Sequence, residues 1–198
     1  MPHAHATMKL WVVSHAKPLL PSGVCYGSTD VRAEDQATQQ AAENLAAVLP
    51  HGLTVRSSTL QRCEHLSTYL RRLRPDLILK TDPRIAEMHF GAWEGRPWAD
   101  LPKTEIDAWA ADFAHHRPGG GDDVQAFMRR VHAALADELR SGAHEAVWIT
   151  HAGVARALRL IAQGIPLPTH ANQWPRDAPA FGQWECIDLF ACERTSHK

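Results

Sequence analysis

The sequence predicts an α/β fold: a three-layer α/β/α sandwich with a mainly parallel central sheet and a helical insertion over one rim. Three observations lead there. Short apolar runs suited to strands alternate with stretches whose apolar residues recur at helical spacing. Ala146-Val-Trp-Ile-Thr150 is apolar enough for a central strand covered on both faces. The length of 198 residues, with 44% hydrophobic and 22% charged residues, suits one compact domain with a substantial core. Ligands of such a sheet bind outside the carboxyl ends of its strands.

Lys9-Leu-Trp-Val-Val13 reads as the first strand, and a loop punctuated by Pro and Gly runs from Pro18 to Asp30. An Ala-rich helix is expected from about Glu34 to Leu49 and a second strand over Leu53 to Arg56. Cys63, Leu66, Leu70 and Leu73 lie on one helix face, which Pro75 ends, and Leu77 to Lys80 is the third strand. From Asp82 to Pro102 periodicity fails, and Gly91, Gly95 and two tryptophans mark a long structured loop of the kind that carries function. Thr104 opens a helix with Ile106, Trp109 and Phe113. After the Pro118-Gly-Gly-Gly121 break, a helix from Asp122 to about Arg140 shows a stripe of Val124, Phe127, Met128, Val131, Leu135 and Leu139, ended by Gly142. Val154, Leu158 and Ile161 mark the helix after the 146–150 strand, and Phe181 to Phe190 supplies a last strand. Residues 1–198 are thus expected to form a single domain, with 1–7 a flexible tail and 82–143 the loop and helical insertion.

The composition narrows the function. No apolar run reaches the ~18 residues of a membrane span, and the N-terminus lacks the basic patch and apolar stretch of a secretory signal, so a cytoplasmic location is expected. A net charge of -1, from 21 Lys and Arg against 22 Asp and Glu, argues against a nucleic-acid footprint. Cys25, Cys63, Cys186 and Cys192 have neither zinc nor disulfide-scaffold spacing and read as reduced, mostly packed thiols. His3, His5, His115 and His116 lack a third ligand nearby, and no metal is expected.

His15 and His151 each follow a predicted strand, so the fold gathers both at one rim, at the N-terminus of a helix in the case of His151. Arg62, in the first turns of a helix, and Glu87, opening the long loop, can reach the same rim. Such a set suits a phosphate ester, whose spread charge is matched by guanidinium, imidazole and helix N-terminal amides. A neutral imidazole can attack phosphorus while a carboxylic acid protonates the leaving oxygen and later deprotonates water. That chemistry needs neither metal nor organic cofactor.

These residues stand in four ordered segments, and over about Lys9 to Ile161 the chain resembles the histidine phosphatases of the phosphoglycerate mutase-like superfamily. Trp11-Val-Val-Ser-His-Ala-Lys-Pro18, with Gly27 to Asp30 beyond it, resembles the nucleophile strand and its Arg-His-Gly turn. Ser57-Ser-Thr-Leu-Gln-Arg-Cys63 is similar to the family's Ser-x-Leu-x-Arg-Ala signature. Glu87-Met-His-Phe-Gly-Ala-Trp-Glu-Gly95 is similar to the acid-bearing loop, and Thr150-His-Ala-Gly-Val154 to the second-histidine turn. The resemblance implies a phosphoglycerate mutase-like fold, His15 as the phosphorylated nucleophile, Glu87 as acid and base, and Arg62 and His151 as clamps on the phosphoryl group. The compact length and the Pro-Gly-Gly-Gly-Asp-Asp segment look closest to the alpha-ribazole phosphatase branch, which removes the 5'-phosphate of a benzimidazole nucleotide. Trp93, Trp98 or Tyr26 would then offer the base an aromatic surface, with Lys17, Tyr26 and Gly27 as substrate contacts.

One family position departs. The arginine expected before the nucleophile is Ser14, which exchanges a permanent cation for a neutral hydroxyl. Lys17 or Arg32 would have to swing in to fill the gap. Three readings follow: a metal-independent phosphomonoesterase of reduced activity acting on a small phosphorylated metabolite, an impaired relative that binds a phosphorylated ligand or a protein, and a mutase that moves phosphate between hydroxyls. The oligomeric state stays open, a dimer included.

Overall fold

A computed structural model describes residues 7–190. The chain runs β1 (Thr7–Ser14), α1 (Asp35–Val48), β2 (Thr54–Ser57), α2 (Gln61–Leu73), β3 (Ile78–Thr81), α3 (Lys103–Ala111), α4 (Val124–Arg140), β4 (Glu145–Thr150), α5 (Ala152–Ala162) and β5 (Trp184–Phe190). The five strands form one sheet in the order β3-β2-β4-β1-β5, parallel except for β5, which pairs antiparallel along the outer side of β1. β1 starts at Thr7, inside the stretch expected to be a tail; residues 1–6, with His3 and His5, and Cys192 lie outside the described residues.

Alternation along the strands builds two cores. Met8, Leu10, Val12, Ala146 and Trp148 face α4 and α5, whose Phe127, Val131, Val154 and Leu158 complete one cluster. Val13, Val55, Val147 and Ile149 face the other way, onto Leu45 of α1 and Cys63, Leu66 and Leu70 of α2. These are the expected three layers. α4 sits within the expected insertion range yet is itself a layer helix, because its stripe is apolar enough to pack on the sheet. Asp123 caps it by accepting the amide of Ala126 at 2.6 Å. What stays over the rim is the stretch before it: three 3-10 turns (Pro83–Ile85, Gly91–Trp93 and Trp98–Asp100), α3, and a fourth turn at Pro118–Gly120.

The last strand begins three residues later than expected, at Trp184. Phe181 to Gln183 turn back toward the rim, where the amide of Gly182 donates to the carbonyl of His15 at 3.0 Å. Among the described residues, no helix is long and apolar enough to cross a membrane.

Candidate active site

The sheet register brings the two histidines together. β1 and β4 pair in parallel with Ser14 opposite Thr150, so the next residue of each strand, His15 and His151, leaves the sheet beside the other. The amide of His15 bonds the carbonyl of Thr150 at 3.3 Å, and the imidazole centroids lie 5.2 Å apart. β2 ends at the same level, with Ser57 opposite Ile149. α2 starts four residues on, so Arg62 falls in its first turn, above the histidines.

His15 is 3% exposed. Its Nδ1 lies 2.7 Å from the carbonyl of Ala16, an acceptor only, so Nδ1 carries the proton and Nε2 keeps its lone pair. The Arg62 Nε–H donates to Nε2 at 3.3 Å. Burial, and then the Arg62 guanidinium, lower the His15 pKa to about 3 against the raising effect of the Ala16 bond. The ring is therefore neutral at any ordinary pH, and its Nε2 lone pair is chemically capable of nucleophilic attack. His151 is held well below its usual value by burial, Arg62 and His15. Its Nε2 lies 2.9 Å from the Ser58 hydroxyl and 3.6 Å from the Cys63 thiol, while its buried Nδ1 has no partner among the described residues. His151 lies behind the cleft wall, not on it.

Arg62 is fully buried, a setting that a guanidinium tolerates only when its donors are met. Nη1 donates to the carbonyl of Thr29 at 2.9 Å and Nη2 to that of Gly27 at 2.7 Å; the Tyr26 ring lies 5.3 Å away. Glu94 holds this 26–30 loop in place by accepting from the amides of Ser28 and Phe90 at 3.0 and 2.9 Å and from the amide and hydroxyl of Thr29. Burial pushes the Glu94 carboxyl up, but the bonds from Thr29, Phe90 and Ser28 outweigh it and hold the pKa at about 2.

Glu87 comes from the long loop, half-buried. One carboxylate oxygen accepts the amide of Met88 and the other that of Gly153, in the first turn of α5, both at 2.9 Å. Arg130 of α4 pins the loop by donating to the carbonyls of Arg84, Ala86 and Glu87. A Cβ at Gly153 would come within 2.1 Å of Glu87 Oε1, so the glycine lets the acid reach the helix end.

These groups open into a cleft of about 600 Å³ whose wall includes Ser14, His15, Arg62, Glu87 and Gly153. Tyr26, Phe90 and Trp98 line one part. The stretch from Trp174 to Phe181 forms another, and Phe181 packs 5.5 Å from the His15 ring. Ser14 is buried, and its hydroxyl lies 3.5 Å from the carbonyl of His15. The chemistry on offer is attack by a neutral imidazole beside one guanidinium, a helix terminus and a carboxyl group. Among the described residues, no group of three or more His, Cys, Asp or Glu is arranged to hold a metal.

Several expectations fall elsewhere. Lys17 is exposed and paired with Glu34 at 2.8 Å, and neither it nor Arg32 lines the cleft. Gly27 is off the wall too; its carbonyl serves Arg62, and its missing Cβ admits the Met88 carbonyl, which a Cβ would meet at 1.8 Å. Trp93, considered as an aromatic surface, is 1% exposed and packs with Cys25 and Leu101, its indole N–H bonded to Glu105 at 2.6 Å. Reasoning from sequence missed Ser58, Glu94, Arg130, Arg156 and Phe181. Ser58 and Glu94 stand inside the recognised segments, so their polar type was the available signal; the others carried none.

The family model described as "Histidine phosphatase superfamily (branch 1)" matches residues 5–177. The "Adenosylcobalamin/alpha-ribazole phosphatase" of Escherichia coli is 30% identical over 191 residues, covering 92% of this chain and 90% of that protein. Its Salmonella typhimurium counterpart is 30% identical over 195 residues, covering 94% and 92%. Among solved structures, a putative alpha-ribazole-5'-P phosphatase from Escherichia coli superposes with a TM-score of 0.73 at 25% identity, covering 91% of this chain and 90% of that one. A mycobacterial glucosyl-3-phosphoglycerate phosphatase superposes at 0.75 and 23% identity, covering 92% and 90%, a likeness of fold alone.

Proposed function

Since this chain belongs to the histidine phosphatase superfamily, we propose that it is a phosphomonoesterase that works through a phosphohistidine at Nε2 of His15. The observation that carries this reading is the 2.7 Å bond from His15 Nδ1 to the Ala16 carbonyl, which turns the Nε2 lone pair toward Arg62 and the cleft. In the first step Nε2 forms a bond to phosphorus, and the bond from phosphorus to the leaving oxygen breaks. Glu87, in its protonated form, gives that oxygen its proton. In the second step the Glu87 carboxylate takes a proton from water, the oxygen attacks phosphorus, and inorganic phosphate leaves with His15 restored. Arg62 and the Gly153 amide hold equatorial oxygens, and the unpartnered His151 Nδ1 donates from beneath. The phosphoryl group takes the Gly153 amide from Glu87, which frees the acid to turn to the leaving oxygen.

The aromatic lining by Tyr26, Trp98 and Phe181 favours an ester with a flat, apolar leaving group. Alpha-ribazole 5'-phosphate, a benzimidazole nucleotide, is such an ester. The test uses a ³²P-labelled aryl phosphate, quenched in alkali because phosphohistidine survives base. Label is expected on the protein and is expected to vanish in His15→Ala. An unlabelled wild-type protein that still releases phosphate would overturn the mechanism.

Ser14 favours a second reading, a relative that holds phosphorylated ligands and turns them over slowly. The Ser14 hydroxyl approaches the His15 carbonyl at 3.5 Å, so no strong donor replaces the family arginine. Phosphate release by the wild type at a rate typical of the family would reject this reading.

A further inference from the structure

The cleft does not end at the catalytic groups. Beyond the stretch carrying Trp174 lies a second cavity of about 420 Å³, and the two share Arg156, Trp174 and Arg176 as a common wall. Arg156 stands on α5 one turn beyond Gly153, on the side of the helix that faces the cleft. Its Nη2 donates to the carbonyl of Arg176 at 3.1 Å, while its buried Nε has no partner among the described residues. No carboxylate among the described residues forms an ion pair with Arg156 or Arg176. The next arginine of the helix, Arg159, is by contrast bonded to Glu185 through two of its nitrogens. The one acid on the wall of the first cavity at this end, Asp177, is absent from the wall of the second.

A buried N–H that lacks an acceptor costs free energy unless a ligand supplies one. Two guanidinium groups around one waist with no carboxylate partner among the described residues also favour an anion, which Arg binds through paired N–H donors. The first cavity alone is large enough for a mononucleotide, and the second extends the space beyond what such an ester fills.

We propose that Arg156 and Arg176 form a second anion-binding subsite, so that the substrate is two-ended: a phosphoryl group at His15, an aromatic middle, and a phosphate or carboxylate on the leaving group held at this waist. The proposal deepens the phosphatase reading, takes from it only that the His15 end is the phosphoryl end, and favours a leaving group with a second anion over alpha-ribazole, which carries none.

Its test is binding by calorimetry of alkane-1,ω-bisphosphonates, three to eight methylenes long, against alkylphosphonates of the same lengths. At one length or more the wild type is expected to bind the two-ended compound at least tenfold more tightly. In Arg156→Gln or Arg176→Gln that ratio is expected to fall below threefold, near the twofold that two equivalent ends supply by statistics alone. Arg176 is exposed, so its variant keeps the question open should Arg156→Gln fail to fold by circular dichroism. No preference at any length in the wild type, or a tenfold preference kept in every folded variant, would overturn the subsite. Phosphonates resist hydrolysis, so the readout does not depend on turnover. A protein that shows the preference yet releases phosphate from no ester would overturn the phosphatase reading and leave the subsite standing.

Discussion

At the scale of single residues, the site is defined by how few cations serve it. Arg62 is the only arginine hydrogen-bonded to His15 among the described residues. It is itself held by two carbonyls, so only part of its donor set would remain for the phosphoryl group of the proposed mechanism. Removing one preorganised donor typically costs about 100- to 1000-fold in rate. Ser14→Arg is accordingly expected to raise kcat/KM for an aryl phosphate at least tenfold, read as initial rates of phosphate release; an unchanged rate would show that position 14 does not contact the phosphoryl group. The residues themselves were legible in the sequence, because His15, Arg62, Glu87 and His151 each stand in a recognisable local segment. Lys17, Tyr26 and Gly27 were not separable there: all three are loop residues near His15, and only packing sends one to Glu34, one to the cleft and one against Met88.

Among the elements, two glycines separate a crowded side chain from a crowded backbone. The atom facing a Cβ at Gly153 is the end of the Glu87 side chain, which can move. Gly153→Ala is therefore expected to lower kcat at least tenfold, because the added methyl crowds the Glu87 carboxyl group and the place beside the residue-153 amide that the phosphoryl group takes, with little change in Tm. The atom facing a Cβ at Gly27 is the Met88 carbonyl, part of a chain tied to Glu87 and Glu94. Gly27→Ala is expected to lose activity and about 1–3 kcal/mol of stability together, as urea unfolding would measure; full stability would mean that the two loops are not in register. Most elements were readable to within a few residues from periodicity, since apolar spacing is a local property. The stretch from 164 to 183 was not. It has no period, and the arginines that fasten it come from α5: Arg156 donates to the Arg176 carbonyl and Arg159 to the Asp177 carbonyl at 2.8 Å.

For the whole molecule, the burial of two neutral histidines ties folding to pH. Burial and Arg62 lower the folded pKa of His15 to about 3, while the unfolded chain titrates near 6.5. The unfolded state thus binds the proton first as pH falls, so the stability that His15 contributes is complete above about pH 6.5 and is lost from there down to about pH 3. His151 is shifted in the same direction. Between about pH 7.5 and 5.0 one such histidine removes about 2 kcal/mol from the unfolding free energy. Urea titrations at the two pH values are expected to show a drop about 2 kcal/mol smaller in His15→Gln than in the wild type; equal drops would mean that His15 is protonated in the folded protein.

The sequence by itself determined the layered α/β architecture, the family, and the four side chains of the candidate site, because strand and helix periods and short segments are written in neighbouring residues. Only the tertiary structure decided what those side chains meet. The pairing of Ser14 with Thr150 sets the imidazoles side by side, Glu94 and Gly27 lock the loop that holds Arg62, and the return of residues 174–181 over the rim turns an open edge into a cleft with a second chamber. Each of these depends on hydrogen bonds and close contacts between segments far apart in the chain, which no local pattern encodes.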